Sequence, residues 1–247
     1  MCNNKKKIFI RKVLKMALIK FGGGVLDARG SIGGNVFSRN RYGNYMRART
    51  APVNPQTQRQ SAIRAIMAEV SARWFNVLTE ENRGSWNDFA ANHPSTNKLG
   101  EVISLSGFNQ FVRSNVAAKT AGLDYINAGP VTFIKPGEDT LFAVEISAAS
   151  QEVSITFDDS LAWLNESGAA MIVQVGAPQS DSINYFGGPF RSAGAILGDE
   201  TTPPTTPATI DSPFVLTEDQ KIFVRGRIIR ADGRLSDWFR NDAICGV

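Results

Sequence analysis

Residues 22–59 read GGGVLDARGSIGGNVFSRNRYGNYMRARTAPVNPQTQR. Glycine is too frequent in this stretch for a helix interior, and apolar residues are too few to form a core. The stretch carries six arginines, preceded by Lys20, against the single acid Asp27. Glycine lets a backbone lie close to another surface, and the planar guanidinium of arginine pairs with carboxylates or phosphates. We therefore expect an extended basic N-terminal arm, residues 1–53, that has no fold of its own and becomes ordered on a partner.

Small, polar, aromatic and basic residues alternate between Gly30 and Arg49. This pattern is typical of a β-ribbon, or of an extended arm whose aromatic rings enter pockets on another molecule. A hairpin packed on its own domain fits the composition equally well. The residues predicted to contact a partner are Arg39, Arg41, Tyr42, Tyr45, Arg47 and Arg49.

Charge is separated along the chain, whose net charge is +4. Residues 1–59 hold 13 lysines and arginines and one acid, residues 60–129 hold 6 of each sign, and residues 130–247 hold 8 lysines and arginines and 16 acids. A basic leader and an acidic C-terminal half suit different partners, or successive copies of one chain. Because an acidic domain repels phosphate, the pattern favours a protein partner over nucleic acid.

Residues 54–129 are predicted to form a small helical bundle. Asn54 is a good N-cap with Pro55 as the first helical residue, and further caps are expected at Thr79 and Ser106. The first helix carries one apolar stripe at three- and four-residue spacing: Ile63, Ile66, Met67, Val70, Trp74, Val77 and Leu78. One aromatic-rich core is expected from Trp74, Trp86, Phe89, Phe108 and Phe111.

Residues 130–247 change to short runs rich in Val, Ile, Phe and Thr, bounded by Gly, Pro, Asp and Ser. The predicted strands are 131–134, 141–147, 152–157, 170–176, 214–216 and 221–231. Their spacing favours an antiparallel β-sandwich, and the Thr- and Pro-rich residues 198–213 are predicted to be an exposed loop. The predicted fold class is therefore α+β: an extended basic arm, a small helical bundle and a C-terminal antiparallel β-sandwich.

The end of the chain resembles the last hairpin of fibronectin type III-like modules. The matching features are a strand over residues 227–231, the Asp232–Gly233 turn and a closing strand with Ser236 and Trp238. This resemblance implies a sandwich over the last half of the chain and carries no ligand with it.

Residues 22–122 resemble uncharacterised structural proteins of tailed bacteriophages. The resemblance rests on the glycine-rich opening, the run from Tyr42 to Arg47, the Pro52-x-Asn54-Pro55-x-Thr57-x-x-Gln60 pattern, a helix with Trp74, and Thr79 leading to Trp86. It implies a virion component such as a capsid cement, neck or tail protein, and it assigns no role to an individual residue.

The sequence contains no phosphate-binding loop, no nucleophile elbow and no dinucleotide fingerprint. We expect no catalytic residues, no cofactor and no metal site, and the lone His93 is predicted to be a solvated helix cap. Cys2 and Cys245, at opposite ends, are expected to be reduced thiols. Five pairs of adjacent acids are predicted to be solvated at turns or caps: Glu80–Glu81, Glu138–Asp139, Asp158–Asp159, Asp199–Glu200 and Glu218–Asp219.

The first fifteen residues mix cations with apolar residues, but Arg11 and Lys12 interrupt the apolar run, so neither a signal peptide nor a membrane span is predicted. Met16 resembles a natural start, which makes the preceding residues an alternative start or a disordered tail. We expect a product made in the host cytoplasm and incorporated in a virion.

The sequence thus favours a non-enzymatic phage virion protein, most simply a capsid decoration or cement protein. Its expected partners are the major capsid protein or another virion protein, together with further copies of itself, and no membrane. A neck or tail component is one alternative, and a nucleic-acid-binding protein that uses the basic residues is another. A third alternative is a receptor- or glycan-binding sandwich that uses Trp163, Tyr185 or Trp238, although core positions are the commoner place for such rings.

Overall fold

The computed structural model describes residues 16–51, 54–97 and 99–246. Within them the chain is an α+β fold with three helices and four antiparallel sheets. It divides into two compact units, one formed by residues 16–56 with residues 95–103, the other by residues 57–94 with residues 104–246. The three-way division into 1–53, 54–129 and 130–247 stays a prediction. Residues 1–15, with Cys2 and the expected alternative start or tail, lie outside the described residues.

The N-terminal unit is built on a four-stranded antiparallel sheet. Its strands are β1 (Met16–Ile19), β2 (Gly30–Ile32), β3 (Asn35–Asn40) and β4 (Gly43–Ala48), in the spatial order β1-β4-β3-β2. A short hairpin of β5 (Ser95–Thr96) and β6 (Val102–Ile103) belongs to the same unit. The expectation of an extended arm with no fold of its own is therefore wrong for residues 30–48, which form paired strands as the alternative of a β-ribbon predicted.

Two tight turns explain why this glycine-rich stretch forms a meander. Gly33 and Gly34 between β2 and β3 both have positive φ, 55° and 82°, as a two-residue hairpin turn of type I′ requires. Between β3 and β4, Oδ1 of Asn40 accepts a hydrogen bond from the backbone N–H of Tyr42 at 2.9 Å, and Gly43 has φ 118°. The glycines thus serve the turns of a sheet.

Three helices follow: α1 (Gln58–Asn76), α2 (Glu80–Asn92) and α3 (Gly107–Thr120). The predicted cap at Asn54 is wrong, because Thr57 caps α1. Its Oγ1 accepts from the backbone N–H of Gln60 at 3.3 Å, and Oε1 of Gln60 accepts from the N–H of Thr57 at 3.4 Å. This reciprocal pair is a capping box, which satisfies two backbone N–H groups at the start of α1. The predicted caps Thr79 and Ser106 are confirmed.

The aromatic core of the helices is confirmed. Trp86 is fully buried, contacts Phe89 and Phe111 edge-on, and donates its Nε1 hydrogen to the carbonyl of Asn127 at 2.9 Å. Trp74 is buried in the same cluster, and Phe108 packs against it.

The apolar stripe of α1 is only partly buried, which corrects the prediction. Val70, Trp74 and Leu78 are buried, but Ile63 and Met67 are exposed. Helix α1 spans 19 residues whereas α3 spans 14, so the first turns of α1 extend past the aromatic cluster. Val77, the C-cap residue, is also exposed.

Eight strands form the C-terminal sheets: β7 (Ala143–Ser147), β8 (Glu152–Thr156), β9 (Ala170–Gly176), β10 (Gln179–Ser180), β11 (Phe190–Leu197), β12 (Ala208–Asp211), β13 (Gln220–Ile229) and β14 (Phe239–Ile244). One sheet has five strands in the order β10-β13-β9-β11, with β14 also paired to β13. The other has three strands in the order β12-β8-β7.

One large hydrophobic cluster joins the two C-terminal sheets. Val144 and Val153 of the three-stranded sheet belong to it together with Val173 and Val224 of the five-stranded sheet. The opposite face of β9 is covered as well, because Ile172 packs with Ala118 of α3 in a second cluster. Strand β9 therefore lies between two layers, and this explains its nearly continuous apolar sequence.

Four of the predicted strands are confirmed, 170–176 with the predicted ends and the other three with shifted ends, and the remaining two need correction. Residues 131–134 and 214–216 are not strands. The predicted loop 198–213 contains β12, and β11 was not predicted at all. The sequence FRSAGAIL of β11 does not show the alternation of apolar and polar residues that predicts a strand, because it contains small residues and a bulge after Ser192.

Candidate protein interface

The strand register separates the predicted contact residues onto two faces of the N-terminal sheet. Residues directly opposite on paired strands share a face, and successive residues of a strand alternate between faces. One face, called the tyrosine face, carries Leu18, Val36, Ser38, Tyr45 and Arg47. The other, called the methionine face, carries Ile19, Phe37, Arg39, Asn44 and Met46. The sheet therefore brings Tyr45 and Arg47 together and places Arg39 on the opposite side.

The three remaining predicted residues lie at strand ends. Arg41 and Tyr42 form the turn between β3 and β4. Arg49 follows β4, and its backbone N–H donates to the carbonyl of Gly34 at 2.6 Å. The six residues are thus distributed over the two faces and both ends of a single small sheet.

No described side chain of the N-terminal unit is buried. All four predicted arginines are exposed, and Tyr42 and Tyr45 are half-buried. The apolar residues of β3 and β4, among them Val36, Phe37 and Met46, are also only half-buried. The strands of the unit therefore pair with one another, but the described residues form no hydrophobic core within it.

Positive charge on this sheet is poorly compensated. Arg39 approaches Asp27 with 4.0 Å between Nη1 and Oδ2, whereas Arg41, Arg47 and Arg49 form no ion pair with any described residue. An ion pair and hydrogen bond also join Lys20 to Glu101. The hydrogen bonds from Lys20 and Asn97 lower the pKa of Glu101 below its ordinary value.

An open depression of about 320 Å³ lies beside the turn between β3 and β4. Apolar residues line part of its wall, and two of them are aromatic: Leu18, Phe21, Leu26, Tyr42 and Leu99. Lys20, Asn44 and Glu101 add polar groups, and Oδ1 of Asn44 is buried without a hydrogen-bond donor in the described part of the chain. Sequence reasoning found only Tyr42 of this set, because Leu99 and Glu101 come from a hairpin far along the chain and no local pattern connects them with β1.

His93 is not a solvated cap as predicted. It is the C-cap residue of α2, but it is buried, its ring stacks on Phe89 at 4.9 Å between centroids, and its Nδ1 lies 3.2 Å from the carbonyl oxygen of Phe133. Burial lowers its pKa below the ordinary 6.5, and the nearby Lys135 and Arg113 act in the same direction. The prediction missed the loop that covers the ring.

Asp139 corrects the expectation that all paired acids are solvated. It is 4% exposed, and its two carboxylate oxygens accept from the backbone N–H groups of Leu141 at 2.9 Å and Asp158 at 3.2 Å. Burial raises its pKa above the ordinary value, against the effect of these hydrogen bonds. Its partners are backbone groups, so Asp139 holds two loops together.

The three candidate glycan-binding aromatics have different environments. Trp163 is 2% exposed inside the core that joins the C-terminal sheets, which makes it inaccessible. Trp238 is half-buried with the guanidinium groups of Arg225 and Arg227 over its ring, at 4.3 and 5.1 Å. Tyr185 is 74% exposed. These positions do not form one aromatic platform.

Among the described residues there is no group of three or more His, Cys, Asp or Glu that could hold a metal ion. Cys245 is a free, buried thiol. None of the three described helices is long and apolar enough to cross a membrane.

No protein-family model, no curated protein and no solved structure matches this chain.

Proposed function

We propose that this chain is a non-enzymatic structural protein of a tailed-bacteriophage virion, and that it decorates the capsid by binding across capsid subunits through its N-terminal sheet. The observation that supports a binding role is a sheet in which no described side chain is buried. The phage assignment itself rests on the sequence resemblance of residues 22–122. In this proposal the C-terminal sheets form a fibronectin type III-like sandwich, and the protein is made in the host cytoplasm.

A sheet without a core gains stability when another surface covers it. Isolated strands are marginal in water, and a packed face is what makes a sheet of three or more strands stable. A partner that covers the tyrosine face would bury the half-exposed Leu18, Val36 and Tyr45. Each square ångström of apolar surface removed from water contributes roughly 25 cal/mol. The partner would thus supply the hydrophobic layer that the unit lacks.

The charges of the unit favour a protein surface rich in carboxylates. Arg41, Arg47 and Arg49 are exposed without acidic partners in the described chain, and a guanidinium binds a carboxylate with two parallel hydrogen bonds. The open depression places the apolar residues Leu18, Leu26 and Leu99 next to the charged groups of Lys20 and Glu101, so it can accept a side chain of the same partner that has both apolar and polar parts. Repetition of such contacts around a symmetric shell multiplies modest affinities.

The first test asks whether the chain is part of the particle. Mass spectrometry of purified virions from the phage that encodes the chain should detect it at a fixed ratio to the major capsid protein. A density map of the particle should then place it on the shell. Absence of the chain from purified particles would refute the proposal, and density in the neck or tail would replace the capsid assignment with that alternative.

The second test asks which face binds. Particles assembled without the chain would be mixed with purified full-length protein, and the bound fraction measured by co-sedimentation. Tyr45→Ala and Arg47→Glu should each weaken binding about tenfold or more, because rings and charges at an interface centre contribute most of the affinity. Arg39→Glu is the matched control from the opposite face, and Arg64→Glu on the exposed side of α1 controls for total charge. Equal binding by all four variants would rule out the tyrosine face.

A nucleic-acid-binding role predicts a different result in the same preparation. Duplex DNA would be retained with a steep salt dependence, and each arginine that contacts a phosphate would change the salt slope by about one when replaced by alanine. The acidic C-terminal half, with 16 acids against 8 lysines and arginines, opposes such binding.

A further inference from the structure

The five-stranded sheet carries a row of arginines on the side that faces away from the three-stranded sheet, next to the part that α3 covers. None of these arginines has an acidic partner among the described residues. Arg225 and Arg240 lie directly opposite each other on β13 and β14, and both guanidinium groups lie over the ring of Phe190, at 4.3 and 5.7 Å. Arg225 also lies over Trp238 at 4.3 Å, and Arg227 lies over the same ring at 5.1 Å. Together with the exposed Tyr185, whose ring Arg240 approaches at 5.9 Å, these residues form what we call the arginine face.

The arginine face keeps its charge although this costs the folded chain stability. Like charges directly opposite on neighbouring strands destabilise a sheet. Arg225 donates to Oε1 of Gln174, at 2.9 Å from Nε and 2.6 Å from Nη2, and Arg227 donates to the carbonyl of Ser236 at 2.8 Å, so both partners are neutral. Two nearby acids already have cationic partners: Asp237 forms an ion pair with Lys135 at 3.0 Å, and Asp242 on β14 forms one with Lys221 at 3.0 Å. Burial and the neighbouring Arg113 lower the pKa of Arg227 to about 10, with Asp237 acting in the opposite sense.

The outer face of the three-stranded sheet carries the opposite charge. Glu152 and Asp211 lie directly opposite each other on β8 and β12, and Glu145 on β7 is the diagonal neighbour of Glu152. Their neighbours in sequence, Val144 and Val153, face the shared core, so these carboxylates face outward. In the described residues none of the three forms an ion pair or a side-chain hydrogen bond. We call this surface the acidic face.

We propose that the arginine face of one copy binds the acidic face of a second copy, so that the C-terminal sheets associate head to tail. The two faces point away from the core between the sheets, and each holds a like-charged cross-strand pair that the opposite face of another copy neutralises. Arginine, tyrosine and tryptophan are also the residues that dominate the energetics of protein interfaces. This inference does not depend on the phage proposal, because it uses only residues of the C-terminal sheets.

A head-to-tail contact has a defined consequence for assembly. Because the contact joins two different faces, every open complex still has one unbound arginine face at one end and one unbound acidic face at the other. Copies therefore add until the rotation between neighbours closes a ring, or continue as an open filament. We expect the full-length protein to self-associate with increasing concentration and to dissociate at about 1 M salt, where the Debye length falls to about 3 Å.

Sedimentation velocity on the full chain tests the contact. Arg240→Glu and Asp211→Lys each damage one face and should each weaken self-association about tenfold or more, because like charges are then juxtaposed. An equimolar mixture of the two variants should associate again, since the first retains an intact acidic face and the second an intact arginine face. Arg64→Glu, exposed on α1, changes the charge equally and should leave association unchanged.

Other outcomes overturn the proposal. If the wild-type chain stays monomeric at low salt and high concentration, the arginine face does not bind the acidic face. Association that neither variant weakens takes place elsewhere on the molecule, and single variants that the mixture does not rescue show that the two faces do not bind each other. Arg240→Gln and Asp211→Asn, which remove charge without reversing it, guard against misfolding. They should give intermediate weakening while their far-UV circular dichroism matches the wild type.

Discussion

The N-terminal sheet and the five-stranded sheet use the same antiparallel hydrogen bonding but differ in what covers them. Six of the seven residues of β9 are buried, whereas no residue of β3 or β4 is. Strand β9 has the core between the sheets on one side and α3 on the other. The comparison shows that a backbone ladder defines a shape, whereas the layers on either side of it supply most of its stability. It also explains why we place the functional surface where the layers are missing.

The largest expected effect comes from removing a ring of the helical core. Trp86→Ala should lower the free energy of unfolding by about 3–5 kcal/mol, since it leaves a cavity and an unpaired carbonyl at Asn127. Tyr45→Ala in the N-terminal sheet should cost less than about 1 kcal/mol, because its ring is only half-buried. Urea unfolding of both variants measures the difference, and similar losses would contradict the contrast between the two units.

Amide hydrogen exchange should separate the two sheets next. The amides of β3 and β4 should exchange through local opening at a free energy at least about 2 kcal/mol below that of β9 and β13, which open only with the core. Limited proteolysis should likewise cut residues 16–51 before the helices. Equal protection of β4 and β13 in the isolated protein would show that the N-terminal sheet needs no partner.

A polar anchor inside the covered region gives a smaller effect. Asn115 is fully buried on α3, its Nδ2 donates to the carbonyls of Phe111 and Ile126, and its Oδ1 accepts from the N–H of Ile126 at 2.8 Å. Asn115→Ala should cost about 1–3 kcal/mol, because it leaves buried backbone groups unpaired. Asn92→Ala, exposed at the end of α2, should change stability by less than about 0.5 kcal/mol in the same thermal or urea measurement.

The smallest effect is a pH dependence from His93. Burial lowers its pKa in the folded chain below 6.5, so the unfolded chain binds more protons and the free energy of unfolding rises with pH. Stability should therefore fall as the pH drops below about 6.5, by at most about 1.4 kcal/mol per pH unit. Urea unfolding between about pH 5 and 8 should show a flatter profile for His93→Phe, which keeps the stacking on Phe89. Identical profiles would mean that the pKa of His93 is the same in the folded and the unfolded chain.

The local signals in the sequence predicted the helices better than the sheets. Thr79 and Ser106 cap their helices as expected because a cap depends on neighbouring residues alone. The burial of Asp139 and His93 could not be predicted, since loops distant in sequence cover them. The two consecutive glycines, Gly33 and Gly34, indicate a hairpin turn, but the high glycine content of the whole stretch led to the prediction of an unstructured arm.

The sequence identified the residues of the candidate interface but did not predict which of them share a face of the sheet. Composition alone identified Arg39, Tyr45 and Arg47, yet only the strand register places Arg39 on the opposite face. Strand register depends on the turns, and a shift of one residue would exchange the faces. The arginine face was missed for a related reason: Arg225 and Arg240 become neighbours only through the pairing of β13 with β14.

The position of α3 against β9 and β13 has a consequence for how the chain folds during synthesis. Ala118 packs with Ile229, and roughly 100 residues separate α3 from β13. At about 5–20 residues per second, the ribosome needs roughly 5–20 s to deliver that strand after the helix has emerged. During this interval the side of α3 that later contacts the sheet is exposed on the nascent polypeptide. A chaperone that binds apolar helices can bind this side until β13 has been synthesised.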